Sequence, residues 1–232
     1  MLSINTYIIY NSSNDQSVKN ANHCLNSFAK FYSWSPKLFD GCTPYTLSDF
    51  DEKYKISNDR SARQPGHSHY ESKKSCFYSH FSLWLKCIEL NENIAIVEHD
   101  TYCIGDLPIS FKFDGIVQFS AESILRIYNN RFIGFYDIYK KLPPGLHSVE
   151  NFPPISFLGK HYGHCIASNT AYGITPHVAK ILVDDCIKNG WMQNDLLMST
   201  SLCKVEVMVP SFIAYDLTKE IKSSSMEWKQ HE

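Results

Sequence analysis

Residues 94–97, Ile-Ala-Ile-Val, form a continuous apolar run without polar alternation. A strand with one face in water alternates apolar and polar side chains. One that is apolar at every position needs cover on both faces, as in a parallel sheet held between two layers of helices. Just before this run, Phe77, Phe81, Trp84, Leu85 and Ile88 recur at helical spacing, which predicts a helix over residues 75–90. A helix that delivers one apolar face to a doubly covered strand predicts a layered α/β fold with a mostly parallel sheet.

The rest of the chain repeats this alternation. Residues 4–11, INTYIIYN, carry β-branched and aromatic side chains, and Val18, Ala21, Leu25 and Phe28 then mark an amphipathic helix. PKLFDGC (36–42) predicts a short strand, and residues 43–72, polar and without apolar period, predict a long surface excursion. FDGIVQFS (113–120) predicts another strand. Residues 121–160, with Pro-Pro pairs at 143–144 and 153–154, predict a loop-rich insertion. HCIASNTAYGI (164–174) predicts a strand; Thr175 then suits an N-cap, Pro176 a first helical position and Gly190 a helix stop. NDLLMSTS is a short helical candidate and KVEVMVPSFIAYD contains strand material. The expected organisation is a single domain over 1–217 and a polar tail over 218–232.

A net charge of −2 provides no global basic field, so nucleic acid could be held only by a local patch. No apolar run approaches the roughly 18 residues of a membrane span, and the opening lacks a basic segment followed by a long apolar one. We therefore expect a soluble, cytoplasmic protein without a transmembrane segment. The eight cysteines are scattered, none in a C-x-x-C pair, and read as reduced, mostly buried thiols.

In open α/β sheets ligands bind outside the carboxyl ends of the strands, where Glu98, His99 and Asp100 are expected. In an extended segment Glu98 and Asp100 point the same way and His99 the other, so the two carboxylates could share a divalent cation, Mn²⁺ or Mg²⁺. His161, His164 and Cys165 raise zinc as a rival, without a compact fourth ligand. His80 stands beside Phe77, Phe81 and Trp84, where it is either a satisfied core histidine or a functional one.

The segment from Lys73 to Asp100 resembles the family 25 glycosyltransferases. Their pattern runs Cys, two spacers, Ser-His, three spacers, Trp, a helix and an apolar strand ending in Glu-Asp-Asp. Here these are Cys76, Ser79-His80, Trp84 and Glu98-His99-Asp100. SNTAYGITPHVAKIL (168–182) is similar to the family's Gly-Thr-x-Ala-Tyr strand and Ser/Thr-Pro helix, and Asp195 matches an Asp that follows. The middle Asp is His99 in this chain. The family's Gly-Glu-x-Gly is replaced by Glu71-Ser72-Lys73-Lys74-Ser75, and its opening Asn-Leu and Arg are reduced to YIIYNSSNDQ.

The resemblance implies a GT-A-like (Rossmann-related) domain, a nucleotide-sugar donor with a UDP-sugar favoured, a divalent cation at Glu98 and Asp100, and inverting transfer to a hydroxyl. It makes Asp195 the candidate general base, with His80 a second catalytic candidate. Lys73, Lys74, Ser79, His99, Thr170, Tyr172 and Asn194 become candidates for holding donor or substrate, although Trp84 and Tyr172 also read as core.

A glycan or lipooligosaccharide acceptor is slightly favoured. Compact stand-alone relatives of this general look also occur in phages, some of which glycosylate hydroxymethylated cytosine, so a DNA acceptor in a host cytoplasm is the alternative, and a non-catalytic carbohydrate-binding relative is a third. Arg126, Arg131, Lys140 and Lys141, interleaved with aromatics, are the acceptor-binding candidates. A target base would have to leave its duplex.

Overall fold

The computed structural model describes residues 3–60, 69–130, 133–157, 160–166 and 170–215. The expected tail and Arg131 lie outside the described residues.

The chain opens with β1 (Ile4–Tyr10) and α1 (Asp15–Ser27), where the Asn14 side chain caps the helix by accepting the Ser17 N–H at 2.9 Å. β2 (Trp34–Asp40), α2 (Leu47–Tyr54) and α3 (Tyr70–Leu90) follow. Next come β3 (Ile94–Glu98), β4 (Thr101–Cys103), β5 (Ile116–Gln118), α4 (Ala121–Tyr128) and α5 (Phe135–Tyr139). β6 (Gly145–Ser148), β7 (Ser156–Phe157), β8 (Lys160–His161) and β9 (Ala171–Ile174) lead to α6 (Pro176–Asn189). α7 (Asn194–Leu197), β10 (Val205–Val209) and β11 (Ile213–Tyr215) complete the described chain.

The central sheet has seven strands in the order β2-β1-β3-β9-β5-β10-β6. β1 is parallel to β2 and β3, and β10 is parallel to β5, whereas β9 is antiparallel to both its neighbours and β6 is antiparallel to β10. β2, β1, β3, β5 and β10 therefore share one direction. The result is a mixed α/β fold with a mostly parallel sheet, consistent with the single GT-A-like domain expected.

β3 is buried on both faces. Ile94 and Ile96 pack with Phe77, Trp84, Val178 and Leu182 of α3 and α6. Ala95 and Val97 pack with Ile8, Ala21 and Cys24 on the α1 side. Each fully buried Phe or Leu in these layers contributes roughly 2–3 kcal/mol of transfer free energy.

Three segments differ from the sequence expectation. α2 forms inside the expected excursion; only Leu47 of it is buried, and Phe50 and Tyr54 complete its inner face by packing on Tyr78 and Phe81. So few apolar side chains leave no readable period. α3 begins at Tyr70, ahead of Ser75, because its first turns carry polar side chains. The expected irregular insertion contributes α4, α5 and the edge strand β6, which follows Pro143-Pro144 and is half-buried along its length. Edge strands tolerate such composition and lack the apolar signal of a central strand.

A candidate active site at the carboxyl end of β3

The carboxyl ends of β1, β2 and β3 lie side by side, and backbone bonds tie them together. The Gly41 N–H donates to Tyr10 O at 2.8 Å and the His99 N–H to Ile9 O at 3.2 Å. The Glu98 N–H donates to Thr170 O at 2.7 Å, and the Ser120 and Thr170 hydroxyls meet at 2.7 Å, joining the end of β5 to the start of β9. Thr170 is buried and holds strand ends together.

β3 stops at Glu98, and residues 99–100 form a turn closed by Thr101 Oγ1 donating to Glu98 O at 2.8 Å. The extended Glu98–Asp100 segment expected from sequence is thus replaced by a turn. Glu98 shares the face of Ile94 and Ile96 and so faces α3.

On α3, Cys76, His80 and Trp84 recur every four residues and form one ridge toward Glu98 and Tyr172. His80 Nε2 lies 3.4 Å from Glu98 Oε1, Cys76 Sγ lies 4.0 Å from the same oxygen, and Asn194 Nδ2 lies 4.0 Å from Cys76 Sγ. His80 Nδ1 is 2.9 Å from the Tyr172 hydroxyl, which also receives the Trp84 indole N–H at 2.9 Å. Trp84 and Tyr172 are fully buried, as a core reading of both requires.

Cys76 reports the charge around it. Burial pushes its thiol well above the ordinary value; Glu98, Asp195 and Asp100 act in the same direction, and Lys73 opposes them. Asp195, in the first turn of α7, therefore belongs to the same cluster as Glu98 and Asp100, and Lys73 supplies its neighbouring positive charge. Next to Asp195, the side-chain oxygens of Gln193 and Asn194 are buried without a hydrogen-bond partner among the described residues.

Other sequence candidates sit elsewhere. Lys74 is 2% exposed and pairs with Asp51 at 2.5 Å, between the rings of Tyr70 and Tyr78. Its charge is used inside the helical layer, against Asp51. Ser79 is buried, accepting the Cys42 N–H and donating to Ser75 O, each at 2.9 Å. His99 is half-buried in the turn beside Glu98.

Arg126 lies exposed in the last turn of α4; Lys140 is paired with Asp137 at 2.8 Å and Lys141 is exposed. Among the described residues, none of these three forms an ion pair with the acidic cluster. His161 Nδ1 meets Ser156 Oγ and His164 Nδ1 meets Phe152 O, each at 2.6 Å, so the two imidazoles are engaged separately and do not gather as a zinc site.

Cys76 and Gln193 are the neighbours that sequence reasoning left out of the site. The Cys76–His80 spacing on one helical face was the available signal for the first; Gln193 carried none.

A divalent cation fits the oxygen donors. Glu98 and Asp100 could ligate Mn²⁺ or Mg²⁺, with Asp195 and the unpartnered amide oxygens nearby. The donor types of Cys76, His80 and Glu98 also lie within 4.8 Å of one another, but a thiol held neutral by burial is a poor ligand. No helix among the described residues is long and apolar enough to cross a membrane.

No curated protein matches the chain. Among solved structures it is similar to mouse xyloside xylosyltransferase 1 in its apo form, at 10% identity, covering 82% of this chain and 73% of that one, with a TM-score of 0.41. The model of glycosyltransferase family 25 (LPS biosynthesis protein) matches residues 15–198, a span that contains the α3 ridge, the β3 terminus and Asp195. By that match the chain belongs to glycosyltransferase family 25 and is a glycosyltransferase.

Proposed function

We propose that the chain moves a sugar from a UDP-sugar to a hydroxyl of a glycan acceptor, at the carboxyl end of β3. The observation that carries this reading is the convergence of Glu98, Asp100 and Asp195 around Cys76, with Lys73 opposing their charge. A bound divalent cation would supply neutralisation of the diphosphate leaving group. Glu98 and Asp100 hold that end of the site, and Lys73 adds positive charge beside it. Asp195 takes the proton from the acceptor hydroxyl as that oxygen attacks the sugar carbon, in the inverting sense.

The acceptor reading follows from charge. Lys140 is neutralised by Asp137, and the chain carries a net charge of −2, so the basic segment 126–141 offers little to a DNA backbone. A glycan, which needs hydrogen bonds and aromatic faces in place of a basic field, suits the surface better. The test is mass spectrometry of glycan and hydroxymethylated-DNA acceptors after incubation with UDP-sugars and Mn²⁺. A sugar-mass increment on the glycan supports the proposal; an increment on the DNA alone overturns the acceptor, and no increment on either overturns both halves.

A further inference from the structure

We infer that Trp84, Tyr172 and His80 form a hydrogen-bonded chain that fixes the His80 proton on Nε2, and that this proton, with the Cys76 thiol, holds one oxygen of Glu98. The trio of Cys76, His80 and Glu98 is then a positioning clamp and not a transition-metal centre.

An indole N–H can only donate, so Trp84 Nε1 gives its hydrogen to the Tyr172 oxygen at 2.9 Å. Tyr172 is fully buried, and its own O–H needs an acceptor. Among the described residues the acceptor within reach is His80 Nδ1, at 2.9 Å. The phenol and imidazole rings lie nearly parallel, 13° apart, which keeps that ring nitrogen presented to the hydroxyl.

A neutral imidazole whose Nδ1 accepts carries its proton on Nε2. That nitrogen faces Glu98 Oε1 at 3.4 Å, and Cys76 Sγ faces the same oxygen at 4.0 Å. With Nε2 protonated, that nitrogen has no lone pair left for a metal, and it and the Cys76 S–H both have Oε1 as their acceptor. Glu98 keeps 29% of its side chain exposed while His80 keeps 2%, so the second carboxylate oxygen remains for the open side of the site.

The clamp thus explains why Cys76, His80 and Trp84 share one ridge of α3. It turns a flexible carboxylate at a strand end into one with a set direction. Such orienting partners behind a ligating or reacting group commonly govern about 10–100-fold in affinity or activity.

His80 ring nitrogens can be read directly by long-range ¹H–¹⁵N spectra of ¹⁵N-histidine protein, with His80→Gln identifying its signals among the ten histidines. The expected result is a protonated Nε2 and an unprotonated Nδ1 in the wild type, and a loss of that fixed pattern in Tyr172→Phe. A proton on Nδ1, protons on both nitrogens, or an unchanged pattern in Tyr172→Phe would overturn the inference.

Co²⁺ titration adds a second readout. Absence of a thiolate-to-cobalt charge-transfer band supports the clamp, and a band that His80→Gln removes contradicts it. The clamp's purpose rests on the glycosyl-transfer reading, but both spectra are recorded without substrate, so failure of that reading leaves them interpretable. In the transfer assay Tyr172→Phe should lower kcat about tenfold with little change in the donor KM.

Discussion

Asp195 and Lys74 show how position decides what a charged side chain does. Asp195 stands in the first turn of a short helix and helps raise the thiol of Cys76, so its carboxylate is within electrostatic reach of that thiol. If it is the general base, Asp195→Asn removes proton acceptance while keeping shape. The expected outcome is a fall in kcat of about 10²–10⁴-fold with an unchanged circular dichroism spectrum; wild-type turnover would assign the base elsewhere. Lys74, by contrast, is buried against Asp51, whereas Lys73 opposes the cluster's charge. Steady-state kinetics should therefore separate the neighbours: Lys73→Met loses several-fold in kcat/KM, and Lys74→Met, a swap of similar volume, keeps it within about twofold.

At the scale of elements, β9 is a strand buried at every position. It runs antiparallel between β3 and β5, and a Cβ placed on Gly173 would meet Phe113 Cζ at 2.8 Å and Phe119 Cζ at 3.0 Å. Gly173→Ala should lower stability by about 1–3 kcal/mol, read as a reduced midpoint in urea unfolding.

The neighbouring helix start is a milder test. Thr175 caps α6 by accepting the Val178 N–H, and Thr175→Ala should cost about 1 kcal/mol.

These elements also mark what the sequence could and could not show. The α6 boundaries were legible because Thr175, Pro176 and Gly190 each carry a local backbone preference. β3 was legible because both its faces are apolar. The antiparallel direction of β9 was not, since a buried strand reads the same either way along the sheet. α2 and β6 were missed because their apolar partners come from distant segments. In the site, the α3 ridge and the β3 terminus could be read from spacing, while the turn at 99–100 and the pairing of Lys74 with Asp51 depend on tertiary contacts that no local pattern encodes.

For the molecule as a whole, eight free thiols, most of them buried, make stability depend on alkaline pH. Burial pushes Cys87 up to about 12 from its ordinary 9.0, and burial followed by the charge of Asp195 does the same for Cys165. Because the folded values are raised, the stabilisation is complete below about pH 9. Above it the unfolded chain releases protons that the folded chain still holds, and stability declines until the pH passes about 12. Each such thiol costs about 1.4 kcal/mol per pH unit in that window. Urea midpoints should hold steady up to about pH 8.5 and fall clearly by about pH 10.5, whereas a flat midpoint across that range would contradict the burial assigned to these thiols.

The acidic cluster at the carboxyl end of β3 is the proposed centre of the transfer reaction, and nucleotide release tests it most directly. Wild type and Asp100→Asn protein, both with verified fold, are incubated with a UDP-sugar panel and acceptor, in Mn²⁺ and in EDTA. The expected result is acceptor-stimulated release by the wild type in Mn²⁺, its loss in EDTA, and a decrease of about a hundredfold or more in Asp100→Asn. Full release by Asp100→Asn, or release indifferent to EDTA, would contradict it.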